Sequence, residues 1–235
     1  MAGLGYKAFS AGAVLTAAQV QGYLQDQSTM LFASSAARTA ALVAPSQGMR
    51  SYLTDSNSAW QYYEAYNSST NPGGAATAGW YPAEGTVLFA GKRSNTGQSM
   101  TNDAYTRVSF NTFVCTGSIS NTDTIQLDSA TAPSAFTVRV NGWYSISLIV
   151  SLAGFASTSG TLRQMTMSVN QTTQSPAILF DTSSTPTATS FLRSSTSLFL
   201  AAGDVVRFWI YHNAGAATTC NNTNATITYL RPAGV

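Results

Sequence analysis

Charge is what this sequence has least of. Lys, Arg, Asp and Glu make up 9% of its 235 residues, against about 25% in an ordinary soluble domain. The formal net charge is +2 and the longest basic run is Lys92-Arg93. No basic stripe exists to track a phosphate backbone, so nucleic-acid binding has no electrostatic footprint. Long apolar runs are missing too. Hydrophobic residues reach 44% and mean hydropathy is +0.03, yet no stretch approaches the roughly 18–20 apolar residues of a spanning helix. The best runs, such as Val205–Tyr211, are strand-sized and carry charge, so membrane insertion is not expected. The opening MAGLGYKAF has no charged segment followed by an apolar one, and no secretory signal is read from it. The Asn-x-Ser/Thr matches at Asn67, Asn170, Asn221 and Asn224 then read as by-products of an Asn/Thr-rich composition.

Catalytic parts are equally scarce. There is one histidine, His212, so His-rich metal sites and most Ser-His triads have a single candidate base. Gly-x-Ser-x-Gly, His-Glu-x-x-His and Walker patterns are absent. His212 ends a strand ahead of Asn213-Ala-Gly215 and reads as a surface or interface histidine. The nine acids are Asp26, Asp55, Glu64, Glu84, Asp103, Asp123, Asp128, Asp181 and Asp204. A glycosidase needs only two, roughly 5–9.5 Å apart, which keeps a polysaccharide-cleaving activity as an alternative. Asp123 and Asp128 flank a short strand, but two carboxylates without an Asp-x-Asp-x-Asp loop do not make a calcium site. No catalytic residue, cofactor or metal is expected. Two cysteines, Cys115 and Cys220, stand far apart; a bridge and two separate thiols are both open.

Ser, Thr, Asn and Gln fill the polar quota instead, which suits β-sandwiches and subunits of an assembly. Only residues 13–34 carry a helical pattern. Thr16 and Gln19 form a capping box. Val20, Tyr23, Leu24, Gln27 and Leu31 then fall at helical spacing, predicting a helix over about 16–34. Its stripe is too short for a core of its own and must pack on something: the following segment, a neighbouring copy or another protein. A hairpin follows over about 48–63, with turn chemistry at Thr54-Asp-Ser-Asn57. Residues 67–79 are Ser, Gly, Pro and Ala-rich, a loop or linker. A first module over 1–85 and a polar linker over 86–104 are expected, with a possible short strand at 86–90.

From Tyr105 the pattern becomes many short strands between Ser/Thr/Asn/Gly turns, near 105–115, 123–128, 135–139, 142–153, 161–169, 176–181, 188–200, 204–212 and 224–230. That density predicts a two-sheet sandwich over 105–235. Alternation puts Tyr144, Ile146 and Leu148 on one face, with Ser145, Ser147 and Ser151 on the other. It likewise puts Val206, Phe208 and Ile210 in the core. Arg207, Trp209 and Tyr211 then share the opposite face, where a wet strand should be polar. Either a further layer of the same chain covers Trp209 and Tyr211, or they form an interface between subunits. The loops near 154–160, 170–175, 182–187 and 213–223 are candidates for adaptable binding.

Two stretches of this half carry a resemblance. Phe136 to Leu148 (FTVRVNGWYSISL) is similar to the "F-x-x-P-x-x-G-x-Y-x-F" strand pair of the C1q/TNF-like jelly-roll superfamily. Ser197 to Trp209 (SLFLAAGDVVRFW) is similar to its "L-x-L-x-x-G-D-x-V" signature, and Ala225 to Leu230 stands in the place of its closing strand. The family's proline ahead of the Gly-x-Tyr is missing, and no Gly-X-Y stalk precedes the domain. The resemblance implies a jelly roll that forms a homotrimer; it does not imply complement or cytokine function.

The leading segment resembles something else. Leu15 to Phe32 follows the "L-T-A-x-x-V-x-x-Y-L-x-x-Q-x-x-x-x-F" pattern that opens minor tail proteins of actinobacteria-infecting phages. Ala36 to Leu42 then follows "A-A-R-x-A-A-L", and Gly48 to Asp55 follows "G-M-x-x-Y-L-x-D". This implies a virion protein made in the host cytoplasm, with Val20, Tyr23, Leu24 and Leu31 on a helix that docks to other virion proteins. The jelly roll would then be displayed to the host surface, where glycans are the expected partner class. A capsid decoration or head-fibre protein uses the same parts.

Overall fold

The computed structural model describes residues 11–21, 28–65, 75, 78–93, 97–115, 125–153, 162–173, 179–183 and 189–232. The chain is mainly β and divides into two compact units, the second spanning Val87–Leu230.

In the first unit, α1 (Ala17–Val20) opens on the capping box: Gln19 N–H donates to Thr16 Oγ1 at 3.3 Å and Thr16 N–H to Gln19 Oε1 at 3.1 Å. The helix expected to run to residue 34 does not. Thr29–Phe32 is a strand, β1, and it pairs in parallel with β2 (Arg50–Leu53). The physical reason is the partner: a local periodicity cannot register a parallel strand some twenty residues downstream. Between them α2 (Ser35–Ala41) is capped by Ser34, whose Oγ accepts from Ala37 N–H at 3.1 Å. The strands β3 (Ser58–Tyr63) and β4 (Gly79–Pro82) complete a sheet of order β1-β2-β3-β4. The β2–β3 pair is the hairpin read at 48–63, with Arg50 opposite Gln61 and Leu53 opposite Ser58.

Arg38 explains the arginine inside an alanine-rich segment. Its guanidinium lies 4.4 Å from the Trp80 ring centroid and 5.1 Å from that of Trp60. A side-chain amine also donates to Ser51 Oγ at 3.3 Å. The small residues of α2 let the helix approach, and a planar cation fills the space between two indoles.

The second unit is a jelly-roll sandwich. In chain order it contains β5 (Val87–Arg93), β6 (Gln98–Met100), β7 (Thr106–Arg107), β8 (Thr112–Cys115), β9 (Ile125–Leu127), β10 (Ala135–Val138), β11 (Gly142–Ala153), β12 (Arg163–Val169), β13 (Leu179–Ser183), β14 (Thr189–Leu200), β15 (Val205–His212) and β16 (Thr218–Arg231). One sheet runs β13-β12-β15-β10-β9 with β7 also on β15. The other runs β14-β11-β16-β5-β8 with β6 also on β16. Chain neighbours β10 and β11, and β14 and β15, therefore lie in different sheets, the crossing pattern of a jelly roll.

Two expectations are corrected here. The segment 86–104 is no linker, because β5 and β6 both pair antiparallel with β16. The supposed loop 213–223 includes Thr218 to Thr223, which belong to β16. The strand expected at 86–90 is the start of β5; in both segments the hydrogen-bonding partner lies more than a hundred residues away in sequence, and turn-like composition hides β6 and the start of β16.

Phe89 from one sheet meets Phe110, Phe136 and Phe208 in a ring cluster with centroids 4.4 Å (Phe89–Phe136) to 6.2 Å (Phe110–Phe208) apart. Tyr144, Ile146, Leu148, Val206, Phe208 and Ile210 are all fully buried. Gly91 is dictated by this cluster, since a Cβ there would stand 2.3 Å from Phe89 Cζ. The Gly-Asp turn is built as a unit: Gly203 has φ +100°, and Asp204 Oδ2 accepts from Ala201 N–H at 2.8 Å. Asn170 Nδ2 donates to Asp204 Oδ1 at 2.7 Å. Only glycine adopts that φ without strain.

Candidate functional site

The two outward faces of the sandwich differ. On the first sheet, Trp209 is 9% exposed. Its indole N–H donates to Ser168 Oγ at 2.8 Å, and its cross-strand neighbours are Thr166 and Arg107. The short β7 adds a row beside it, and the chain's own residues cover most of the Trp209 ring. Tyr211 is half-buried. Its hydroxyl donates to Asp103 Oδ1 at 3.1 Å, and its ring lies 5.1 Å from that of Tyr105. The bond to Asp103 holds the Tyr211 proton and raises its pKa, with desolvation and the nearby carboxylate charge adding to the effect.

On the second sheet, β11 and β14 pair in register from Gly142 opposite Leu200 to Ala153 opposite Thr189. Side-chain alternation then sends Trp143, Ser145, Ser147, Ile149 and Ser151 outward, against Phe199, Ser197, Ser195, Arg193 and Phe191. Four of these are large and apolar, with exposures of 36% (Trp143), 38% (Ile149), 61% (Phe191) and 45% (Phe199). Trp143 and Phe199 meet edge to face at 6.4 Å. Aromatic and aliphatic groups thus occupy both ends of a serine-lined middle. The same sheet continues into a shallow trough of about 290 Å³ lined by Ala90, Lys92, Thr112, Val114 and Thr226 among others. Val114 is 74% exposed. Among the described residues named on this face, Arg193 and Lys92 are charged and none is acidic.

Isolated exposed apolar residues are ordinary, but two apolar clusters framing one sheet face make that face a candidate association surface. Its signal was present in the same alternation that gave Ser145, Ser147 and Ser151 as outward: Trp143 and Ile149 share their parity. The Trp209–Tyr211 pair is legible from one strand because the two share a face two residues apart. The stronger patch is assembled from two strands.

The docking residues of the leading segment are placed in part. Val20 ends α1 at 40% exposure, and Leu31 lies on β1 at 69%. Tyr23 and Leu24 lie outside the described residues. The expected docking helix therefore does not join Val20 to Leu31.

The polar groups considered for chemistry are engaged elsewhere. His212 is no surface residue: it is fully buried, with Nε2 3.0 Å from Met100 O. Its Nδ1 accepts from Ala214 N–H at 3.4 Å. That acceptor role leaves the proton on Nε2, donated to the Met100 carbonyl. Asp128 accepts from Ser134 N–H at 2.8 Å and Ser134 Oγ–H at 2.9 Å. Burial pushes its carboxyl up, but these bonds, one from Ala135 N–H and the Arg107 charge together outweigh it and hold it below the usual range. Asp123 and Asp26 lie outside the described residues. Cys220 is a free, buried thiol 2.8 Å from Thr223 Oγ1, and burial pushes it up to about 11. It forms no bridge to Cys115. Among the described residues no group of three or more His, Cys, Asp or Glu stands together. Of the candidate loops, 154–160 and 184–187 lie outside the described residues, as do 174–175.

No protein-family model and no curated protein matches the chain. Solved structures that resemble it include the globular domain of zebrafish complement 1qA protein, at 18% identity and a TM-score of 0.40 over 62% of this chain and 97% of that one. Murine APRIL is similar at 12% identity and a TM-score of 0.41, over 61% of this chain and 99% of its own. Eiger TNF from S. frugiperda is similar at 14% identity and a TM-score of 0.40, over 63% and 94%. Likenesses this distant carry no functional inference.

Proposed function

We propose that this chain is a non-enzymatic virion structural protein that self-associates through the outward face of β14-β11-β16-β5-β8 and displays the other sheet. The observation that carries self-association is the exposed group of Trp143, Ile149, Phe191 and Phe199 on one flat face. Burying a large apolar side chain fully contributes about 1.5–3 kcal/mol. These four are between 36% and 61% exposed, so covering them contributes about half of that each, roughly 3–6 kcal/mol in all, at the low end of the roughly 4–15 kcal/mol lost in bringing two bodies together. The aromatic ends alone are therefore insufficient, and a stable assembly must also close over the serine-lined middle and the trough beside it. A homotrimer is the stoichiometry implied by the Gly-x-Tyr and Gly-Asp-x-Val resemblance.

The virion setting is supported by the leading segment, where residues 15–55 follow the phage minor-tail pattern through three successive motifs. The first unit then attaches the protein to the particle at the tail, and the sandwich faces the host surface. Gold-labelled antibody against the sandwich, viewed on intact particles of the phage that encodes it, should mark the tail. Label confined to the capsid would contradict the tail assignment and favour a decoration protein.

A further inference from the structure

Beside the covered Trp209, the first sheet presents a small aromatic platform that the self-association reading does not use. Gln164 and Tyr211 are direct cross-strand partners on its outward face. Tyr105, just ahead of β7, extends the row on the far side of Tyr211. The two rings are tilted by 40° with centroids 5.1 Å apart. Both hydroxyls are tied down: Tyr105 O–H donates to Gln164 Oε1 at 2.6 Å, and Tyr211 O–H to Asp103 Oδ1 at 3.1 Å. Rings fixed in this way lose little entropy when something is laid on them.

Asp103 is itself held in place. Its backbone is in the left-handed region at φ 54°, and its N–H donates to His212 O at 2.9 Å. Asn102 Nδ2 donates to Asp103 Oδ2 at 2.8 Å, while Asn102 Oδ1 accepts from Gly215 N–H at 2.7 Å. The result is an exposed carboxylate, braced by neutral donors and still with free acceptor capacity. The left-handed turn conformation, common for Asp, aims the braced carboxylate beside the two rings. On the other edge, the Gln164 oxygen serves Tyr105, and its amide group is a donor.

We propose that this cluster binds a neutral hexopyranose unit. The apolar C–H face of the sugar lies on the outer face of the packed Tyr105–Tyr211 pair, one hydroxyl donates to Asp103, and a neighbouring hydroxyl accepts from the Gln164 amide. The chemistry selects among ligands. A carboxylate at the edge repels phosphates and acidic sugars, and two aromatic faces reward a ring that is apolar on one side and hydroxylated at its rim. The inference deepens the display reading by naming what the displayed sheet recognises, but it does not depend on the oligomeric state.

The test is saturation-transfer NMR on the full-length protein with four probes: methyl β-D-glucopyranoside, methyl β-D-galactopyranoside, methyl α-D-mannopyranoside and methyl α-L-rhamnopyranoside. At least one should receive saturation on its ring C–H protons. The double variant Tyr105→Ala/Tyr211→Ala should weaken that binding by roughly tenfold or more. Asp103→Asn, which keeps both rings and an acceptor for Tyr211, should weaken it by roughly three- to tenfold. No transfer to any probe in the wild-type protein would overturn the proposal, as would transfer that Asp103→Asn leaves unchanged. Sedimentation of the same samples separates the two readings. Absent sugar binding in a particle of multiple chains counts against the platform alone. Sugar binding by a single chain counts against self-association alone.

Discussion

Arg38 shows how a residue that looks misplaced in sequence can be required by packing. The charged side chain in the middle of SAARTAA stands in a helix that holds no acidic residue. It finds two indole faces and a serine hydroxyl instead, and is 5% exposed. A desolvated cation–π contact is worth about 2 kcal/mol, and a hydrogen bond from a charged group about 1.5–3 kcal/mol. Arg38→Met keeps much of the volume while removing both. It should lower the unfolding free energy of the first unit by about 2–4 kcal/mol, read as a shifted urea midpoint in tryptophan fluorescence. No shift would show that the stacking adds nothing net. This residue was visible in the sequence only as part of a resemblance, because the rings that explain it come from β3 and β4.

At the scale of elements, what was readable followed from local pattern, and what was missed depended on distant partners. The period of two in β11 and β15 put Tyr144, Ile146, Leu148, Val206, Phe208 and Ile210 on one side, and all six are buried. The capping box at Thr16 likewise lies within four residues and is formed. By contrast β1 was read as helix, because Leu31 falls at helical spacing from Val20 and the parallel partner Arg50–Leu53 is out of the window. The short strand expected at 86–90 is the start of β5, but its place in the sandwich was not legible because its partner is the last strand of the chain. The outward face of β15 was legible as unusual, and a strand was expected near 105–115, but the pairing of its two-residue start, β7, with β15 was not legible. Trp209→Asp tests that assignment. With the indole closed in by its own chain, the substitution places an unpaired charge among Thr166 and Ser168. It should destabilise the sandwich by about 3–5 kcal/mol in chemical denaturation. A folded domain of unchanged stability would mean that the ring is free after all.

For the whole molecule, the account separates two faces by chemistry. The first sheet turns outward a polar row with two anchored tyrosines. The second turns outward a flat field of serines and threonines bounded by Trp143, Phe199, Ile149 and Phe191. Low overall charge fits such a division, since little of the surface is then left to repel a second copy. The sequence composition pointed to an assembly. The face proposed for assembly is defined by β14 and β11 together, because each strand alone carries only two of its four large apolar residues.

The most direct test is the solution mass of the full-length chain by analytical ultracentrifugation, for the wild type and for Trp143→Ser/Phe199→Ser. Both substituted positions are exposed in the single chain, so the double variant should keep its fold by circular dichroism. The account predicts a wild-type mass three times the 24.7 kDa of one chain, and a variant that sediments as one chain. A wild-type protein at 24.7 kDa, or a variant that keeps the full assembly, would contradict it.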